Sequence, residues 1–252
     1  MMRYPSAWLQ GVSLGESIAC ELRLQIINGT IKSGDVISEN RIAADFGTSR
    51  SPVREALKTL SNEGLIRLER MGAVVLGLSL QDVEELYDVR YLIESFAQQR
   101  LASGNRDPLL ANLKQIIDKM EVAIKYDDCV EFSYLDFCFH EAMIVEAKHT
   151  RILHLWNSIR RIVLTVMLIT TQEVFSEGQA KLQKVIEKHR TIVIGLESKD
   201  ATVIQKKWCR SISRIPIKPF TAVYLNFFAE QAAYLKYLKS CRPVYKMKAF
   251  IY

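Results

Sequence analysis

One run constrains this chain more than any other. Residues 38–57 read Ser38-Glu39-Asn40-Arg41-Ile42-Ala43-Ala44-Asp45-Phe46-Gly47-Thr48-Ser49-Arg50-Ser51-Pro52-Val53-Arg54-Glu55-Ala56-Leu57. Ser38 can cap a short helix in which Ile42 and Phe46, four apart, face one way, and Gly47 stands where a helix ends in a turn. A second helix follows at once. Ser49 or Ser51 can cap it, and Pro52 falls in its first turn, where a missing N–H costs no intrahelical bond. Val53, Ala56, Leu57 and Leu60 form its buried stripe, which turns Arg50 and Arg54 together toward solvent. The spacing predicts a helix-turn-helix over about 38–61.

Such a helix has the chemistry to read a DNA groove. Arg pairs bidentately with guanine O6 and N7, while the hydroxyls of Thr48, Ser49 and Ser51 and free N–H groups can bind phosphates. Downstream, Ile66 and Leu68 alternate with Arg67 and Glu69, Met71-Gly72 makes a turn, and Ala73 to Leu76 returns as a second strand. This hairpin, residues 65–76, is the expected wing, and its tip Arg70-Met71-Gly72 would touch the minor groove or the backbone. Spacing alone leaves open a plain surface helix and hairpin with solvated arginines.

The length of 252 residues suits two domains, and charge separates the chain further. Residues 1–78 hold nine Lys or Arg against eight Asp or Glu, residues 79–204 fifteen against nineteen, and residues 205–252 ten against one. The overall +6 therefore comes from the tail, so DNA binding rests on the placement of a few arginines. No run of eighteen apolar residues suggests a membrane span, and Met1-Met2-Arg3-Tyr4-Pro5 lacks a signal peptide's apolar core, so a cytoplasmic protein is expected. Cys20, Cys129, Cys138, Cys209 and Cys241 lack CxxC spacing and read as reduced thiols.

The first helix is expected at about 14–28, on Ile18, Leu22 and Ile26, and residues 31–37 as a connector. After the wing, Ser79 and Asp82 stand as cap and N3 carboxylate, and helices follow at roughly 79–102, 107–126, 128–147, 150–172 and 178–197. The expected fold is mainly α: a winged helix-turn-helix at 12–78, an antiparallel helical bundle at 81–204, and an atypical basic tail at 205–252.

Two polar exceptions interrupt the bundle's apolar stripes. Arg90 falls among Val83, Leu86, Ile93 and Ala97, and a buried guanidinium needs an anion. That anion is either a protein carboxylate such as Glu94 or the carboxylate of a bound small molecule. Asp136 and His140, four apart, project from one side of a helix and could ligate one metal, with His189 as a third ligand across the bundle; a surface ion pair is the plainer reading.

Ser38-Glu39, Ile42-Ala43, Ser49 through Leu57, Leu60, Glu63-Gly64-Leu65-Ile66 and Gly72 resemble the DNA-binding domain of the GntR family of bacterial transcription regulators, across about 12–78. The resemblance implies that Arg50 and Arg54 read bases or clamp phosphates and that Gly72 is the wing-tip glycine. Asn40 departs from the family, where Arg is common, and would make a weaker contact; Arg41, beside it, points about 100° away on an ideal helix. Residues 81–204 are similar to the family's all-helical FCD domain, in which an Asp, a His four residues on and two further His bind a divalent metal. Asp136, His140 and His189 match three of these, and Arg90 matches an arginine of the ligand pocket. Zinc, nickel and manganese are left open.

Runs such as Arg67 to Val75, Ile124-Lys125-Tyr126 and Glu131-Phe132-Ser133 are similar to branch members that control sugar-acid operons. These imply a homodimeric repressor of operator DNA, relieved by a gluconate-like carboxylate. A regulator answering another small carboxylate, or one that binds DNA without sensing, would carry the same motifs. The family's fourth ligand His has no counterpart, since Cys209, Arg210 and Ser211 stand near its place and no His follows His189. A thiolate from Cys209 could substitute, with preference for a softer ion. A metal-dependent enzyme on Asp136, His140 and His189 is the contrasting reading, but no GxSxG elbow or phosphate-cradling glycine loop accompanies it.

Overall fold

The structure, a computed structural model, describes residues 3–70, 72–102, 106–200 and 202–204. Expectations for 205–252, including Cys209, lie outside the described residues. The N-terminal unit runs α1 (Leu14–Ile27), β1 (Val36–Ser38), α2 (Glu39–Asp45), α3 (Arg50–Asn62), β2 (Ile66–Glu69) and β3 (Gly72–Val75). Ser38 caps α2, its Oγ accepting from Arg41 N at 3.1 Å. Gly47 takes φ +59°, the left-handed turn between α2 and α3. Ser49 stands at the N-cap of α3 without a side-chain bond, and Pro52 lies in the first turn as expected.

The sheet corrects the expected connector at 31–37. Val36–Ser38 pairs antiparallel with β3, which becomes the central strand of a three-stranded sheet in the order β1-β3-β2. Gly72 closes the wing's two-residue turn, pairing with Glu69 across it. It is buried at the head of β3 opposite both Ser38 and Glu69, at φ +152°, and a Cβ there would stand 2.1 Å from the carbonyl oxygen of Ile37. Gly72→Ala is expected to lower stability by roughly 1–2 kcal/mol, read as a lower thermal midpoint. Ile66 is buried but Leu68, on the same face, is about half exposed, because the wing overhangs the core beyond its first residue.

Five helices follow: α4 (Leu80–Arg100), α5 (Asp107–Lys125), α6 (Cys129–Glu146), α7 (Thr150–Ser176) and α8 (Gln179–Glu197). Ser79 and Asp82 form a reciprocal capping box at the start of α4. Three expected breaks carry positive φ at Asp127, Lys148 and Gly178. Helix α7 runs four residues past the expected 172, since no breaker precedes Gly178 and Phe175 still packs on the bundle core. It is the one described helix long and apolar enough to cross a membrane, yet Trp156, Val163, Leu164 and Val166 are buried inside the protein.

The two units share a core. Ile18, Leu22, Val53, Leu57, Leu60 and Ala73 of the N-terminal unit pack in one cluster with Val83 of α4 and Ile162 and Val166 of α7. On the other side of α1, Cys20 and Leu24 meet Leu168 of α7 and Tyr4 of the N-terminal arm. Trp8 of that arm stacks on Tyr134 of α6. Glu16 of α1 pairs with Arg161 of α7 at 3.4 Å.

Candidate functional site

Two places bring the expected site residues together. On the N-terminal unit, Asn40, Arg41, Ser49, Arg50, Ser51, Arg54 and Arg70 are all exposed, and Thr48 is half-buried. Arg50 begins α3 and Arg54 follows one turn later, so both sit at the end of the helix whose N–H groups point outward. The Arg54 guanidinium is tied to Glu39 of α2, Nε to Oε2 at 2.9 Å, across a surface ion pair of little intrinsic strength. Such a contact orients the side chain and is readily exchanged for a phosphate or base edge. Arg41 reaches Asp45 on its own helix, at 3.9 Å.

The second place is inside the bundle, where α4, α6 and α8 converge. Ile93 and Ala97 bury one stripe of α4, and Arg90 and Glu94 are buried beside them. Phe132, Leu135, Phe139 and Met143 bury α6 and carry His140 in with them. His189 enters from α8 between Ile186 and Val193. Asp136, His140 and His189 place one ligand atom each within 4.8 Å of one another. The Nε2 of His189 lies 2.9 Å and the Nε2 of His140 lies 3.4 Å from Asp136 Oδ1.

A continuous polar chain extends from these residues. His140 Nδ1 lies 2.6 Å from Glu94 Oε2, and Arg90 donates from Nε to Glu94 Oε1 at 2.5 Å. His189 Nδ1 faces its own helix at Val185 O, 2.8 Å away. Burial would raise the Asp136 carboxyl, but the charge and hydrogen bonds of His189 and His140 hold it well below the usual carboxylate range. Burial opposes ionisation of Glu94 too, and Arg90 and His140 outweigh it. Burial disfavours the charged His140, yet Glu94 beside it pulls the imidazole upward.

The donor set fits a divalent ion. Each imidazole faces an acceptor at both nitrogens, so with Nδ1–H given to Glu94 or Val185 something positive must sit between each Nε2 and Asp136. A proton on each ring or a single metal ion meets that need, and two imidazoles with a carboxylate suit zinc, nickel or manganese. The buried position of His140 sets aside the surface ion pair. Glu94, which the sequence marks only as a counter-ion for Arg90, proves to be bonded to both Arg90 and His140. Its second partner lies 46 residues away, so no local spacing signals it. His149 caps α7 through Nδ1, and His154 is exposed; neither joins the cluster.

Comparison with known proteins identifies the two units that carry these places. Residues 14–76 match the bacterial regulatory proteins of the gntR family, and residues 85–213 match the FCD domain. The gluconate operon transcriptional repressor of Bacillus licheniformis is 41% identical over 203 residues, which span 81% of this chain and 84% of that protein. The repressor of the same name from Bacillus subtilis is also 41% identical, over 80% of this chain and 83% of its own length. Among solved structures, Escherichia coli McbR/YncC superposes with a TM-score of 0.61 at 20% identity, covering 86% of this chain and all of that one, a likeness of fold.

Proposed function

The chain belongs to the GntR family of DNA-binding bacterial transcription regulators, with an FCD domain, and from that premise we propose that it represses a gluconate or related sugar-acid operon. It is a regulator rather than an enzyme, as are the relatives it matches. In this reading it acts in the cytoplasm as a homodimer, each protomer laying α3 in one major groove of a near-palindromic operator. Arg50 and Arg54 contact bases or phosphates, with Thr48, Ser49, Ser51, Asn40, Arg41 and Arg70 beside them.

The observation that carries the sensing half is the cluster of half-buried Asp136 with buried His140 and His189 next to a buried arginine. Asp136, His140 and His189 would hold a divalent ion, which when bound supplies a positive centre for a carboxylate. Arg90 offers the second positive group. Binding of the acid lowers operator affinity only so far as it favours the arrangement of DNA-binding units that does not fit the operator.

The test is a gel-shift titration on DNA spanning the promoter of the Bacillus subtilis gluconate operon, run with zinc-loaded protein. Specific binding at about 10 nM or tighter, released by gluconate and not by glucose, is expected. Binding that gluconate leaves unchanged would rule out this effector, and absence of specific binding would rule out this operator.

A further inference from the structure

We propose that Glu94, locked in place by Arg90, is the positioning residue that makes His140 a metal ligand through Nε2. The inference rests on the metal-site reading above and adds to it a residue that touches no ion. His140 can present either ring nitrogen to a metal. Its Nδ1 is claimed by Glu94 Oε2 at 2.6 Å, which leaves Nε2 as the nitrogen turned toward Asp136 and His189. A carboxylate accepting the far N–H of a ligating imidazole fixes its tautomer and ring orientation and raises its basicity.

Glu94 is fully buried and would be costly as an isolated charge. Arg90 removes that cost by donating to the other oxygen, Oε1, from the preceding turn of the same helix. Each carboxylate oxygen therefore has one fixed partner, and the His140 ring cannot turn without breaking one of the shortest contacts in the bundle. Among the described residues no carboxylate meets His189 Nδ1. Its Nδ1 is held by a backbone carbonyl of its own helix, so the two imidazoles are oriented by different means.

Glu94→Gln tests this directly. Glutamine keeps the shape but has one acceptor oxygen, so it cannot serve both Arg90 and His140. Zinc affinity, measured by competition with a chromogenic chelator, is expected to fall about 10- to 100-fold. The cobalt-loaded variant should show an altered visible spectrum, and operator binding by metal-free protein should be unchanged. Zinc affinity equal to the parent's in a folded variant would overturn the role of Glu94 while leaving the metal site standing. A parent protein that takes up no zinc would overturn both.

Should the variant fail to fold, nitrogen-15 spectra of the zinc-loaded parent decide instead. A proton on His140 Nδ1 with zinc at Nε2 supports the assignment, and zinc at Nδ1 refutes it.

Discussion

Replacing Glu63 by alanine is expected to destabilise the protein by about 3–5 kcal/mol. Its carboxylate grips Arg23 of α1 with two bonds of 2.7 Å, Nε to Oε2 and Nη2 to Oε1. Arg23 is wholly buried. Burial disfavours its charge, and the Glu63 carboxylate more than restores it. Glu63 stands at the C-cap of α3, where a negative charge opposes the helix dipole, so its placement serves Arg23 rather than its own helix. Removing it strands a guanidinium whose next carboxylate, Glu16, is 3.8 Å away and already engaged with Arg161. Urea unfolding checks the value. The double change Arg23→Met with Glu63→Leu should recover most of the loss, since a packed apolar pair avoids the desolvation of both charges. A midpoint for Glu63→Ala within experimental error of the parent's would refute the account.

The second large effect is expected on DNA. Arg50→Ala and Arg54→Ala should each weaken specific operator binding by about 1–3 kcal/mol while leaving thermal stability close to the parent's. Both side chains are exposed, and the Arg54–Glu39 pair contributes little to the fold. Titrations on specific and scrambled DNA separate the two modes of contact. A base-reading arginine loses preference for the specific site, whereas a phosphate-clamping one weakens both nearly equally and lowers the salt slope by about one. Unchanged affinity for both sequences would remove the residue from the interface.

Much of this architecture was legible in the chain because its punctuation is local. Ser38 and Ser79 cap helices through bonds to residues three positions on, and the helices before Asp127 and Lys148 end within a residue of the expected positions. Asp136 and His140 were legible for the same reason, being one helical turn apart. Three features were not. Strand β1 is three residues long, too short to show alternation, and exists because β3 offers an edge and Gly72 lets the backbones close. Arg23 lies between Leu22 and Leu24 and reads like any solvated helix cation, because its partner is 40 residues distant. Glu94 was visible as a counter-ion within its own helix, but its bond to His140 depends on how α4 packs on α6.

Helix α1 shows the same limit from another side. Its stripe of Ile18, Leu22 and Ile26 was evident, and Cys20 and Leu24 on the other flank were apolar without a visible partner. That partner is Leu168 on α7, 144 positions from Leu24 in the sequence.

That two-sided burial bears on how such a protein can be recombined. A crossover at the loop between β3 and α4 appears to the eye as a clean seam, but the interior on its N-terminal side is finished by Val83, Ile162 and Val166 from beyond it. A hybrid that joins this reading head to a foreign sensor inherits a head with one wall supplied by a stranger. Compatible grafts must therefore match side-chain volume on two helices far downstream of the join, and sensor and reader travel as a fitted pair.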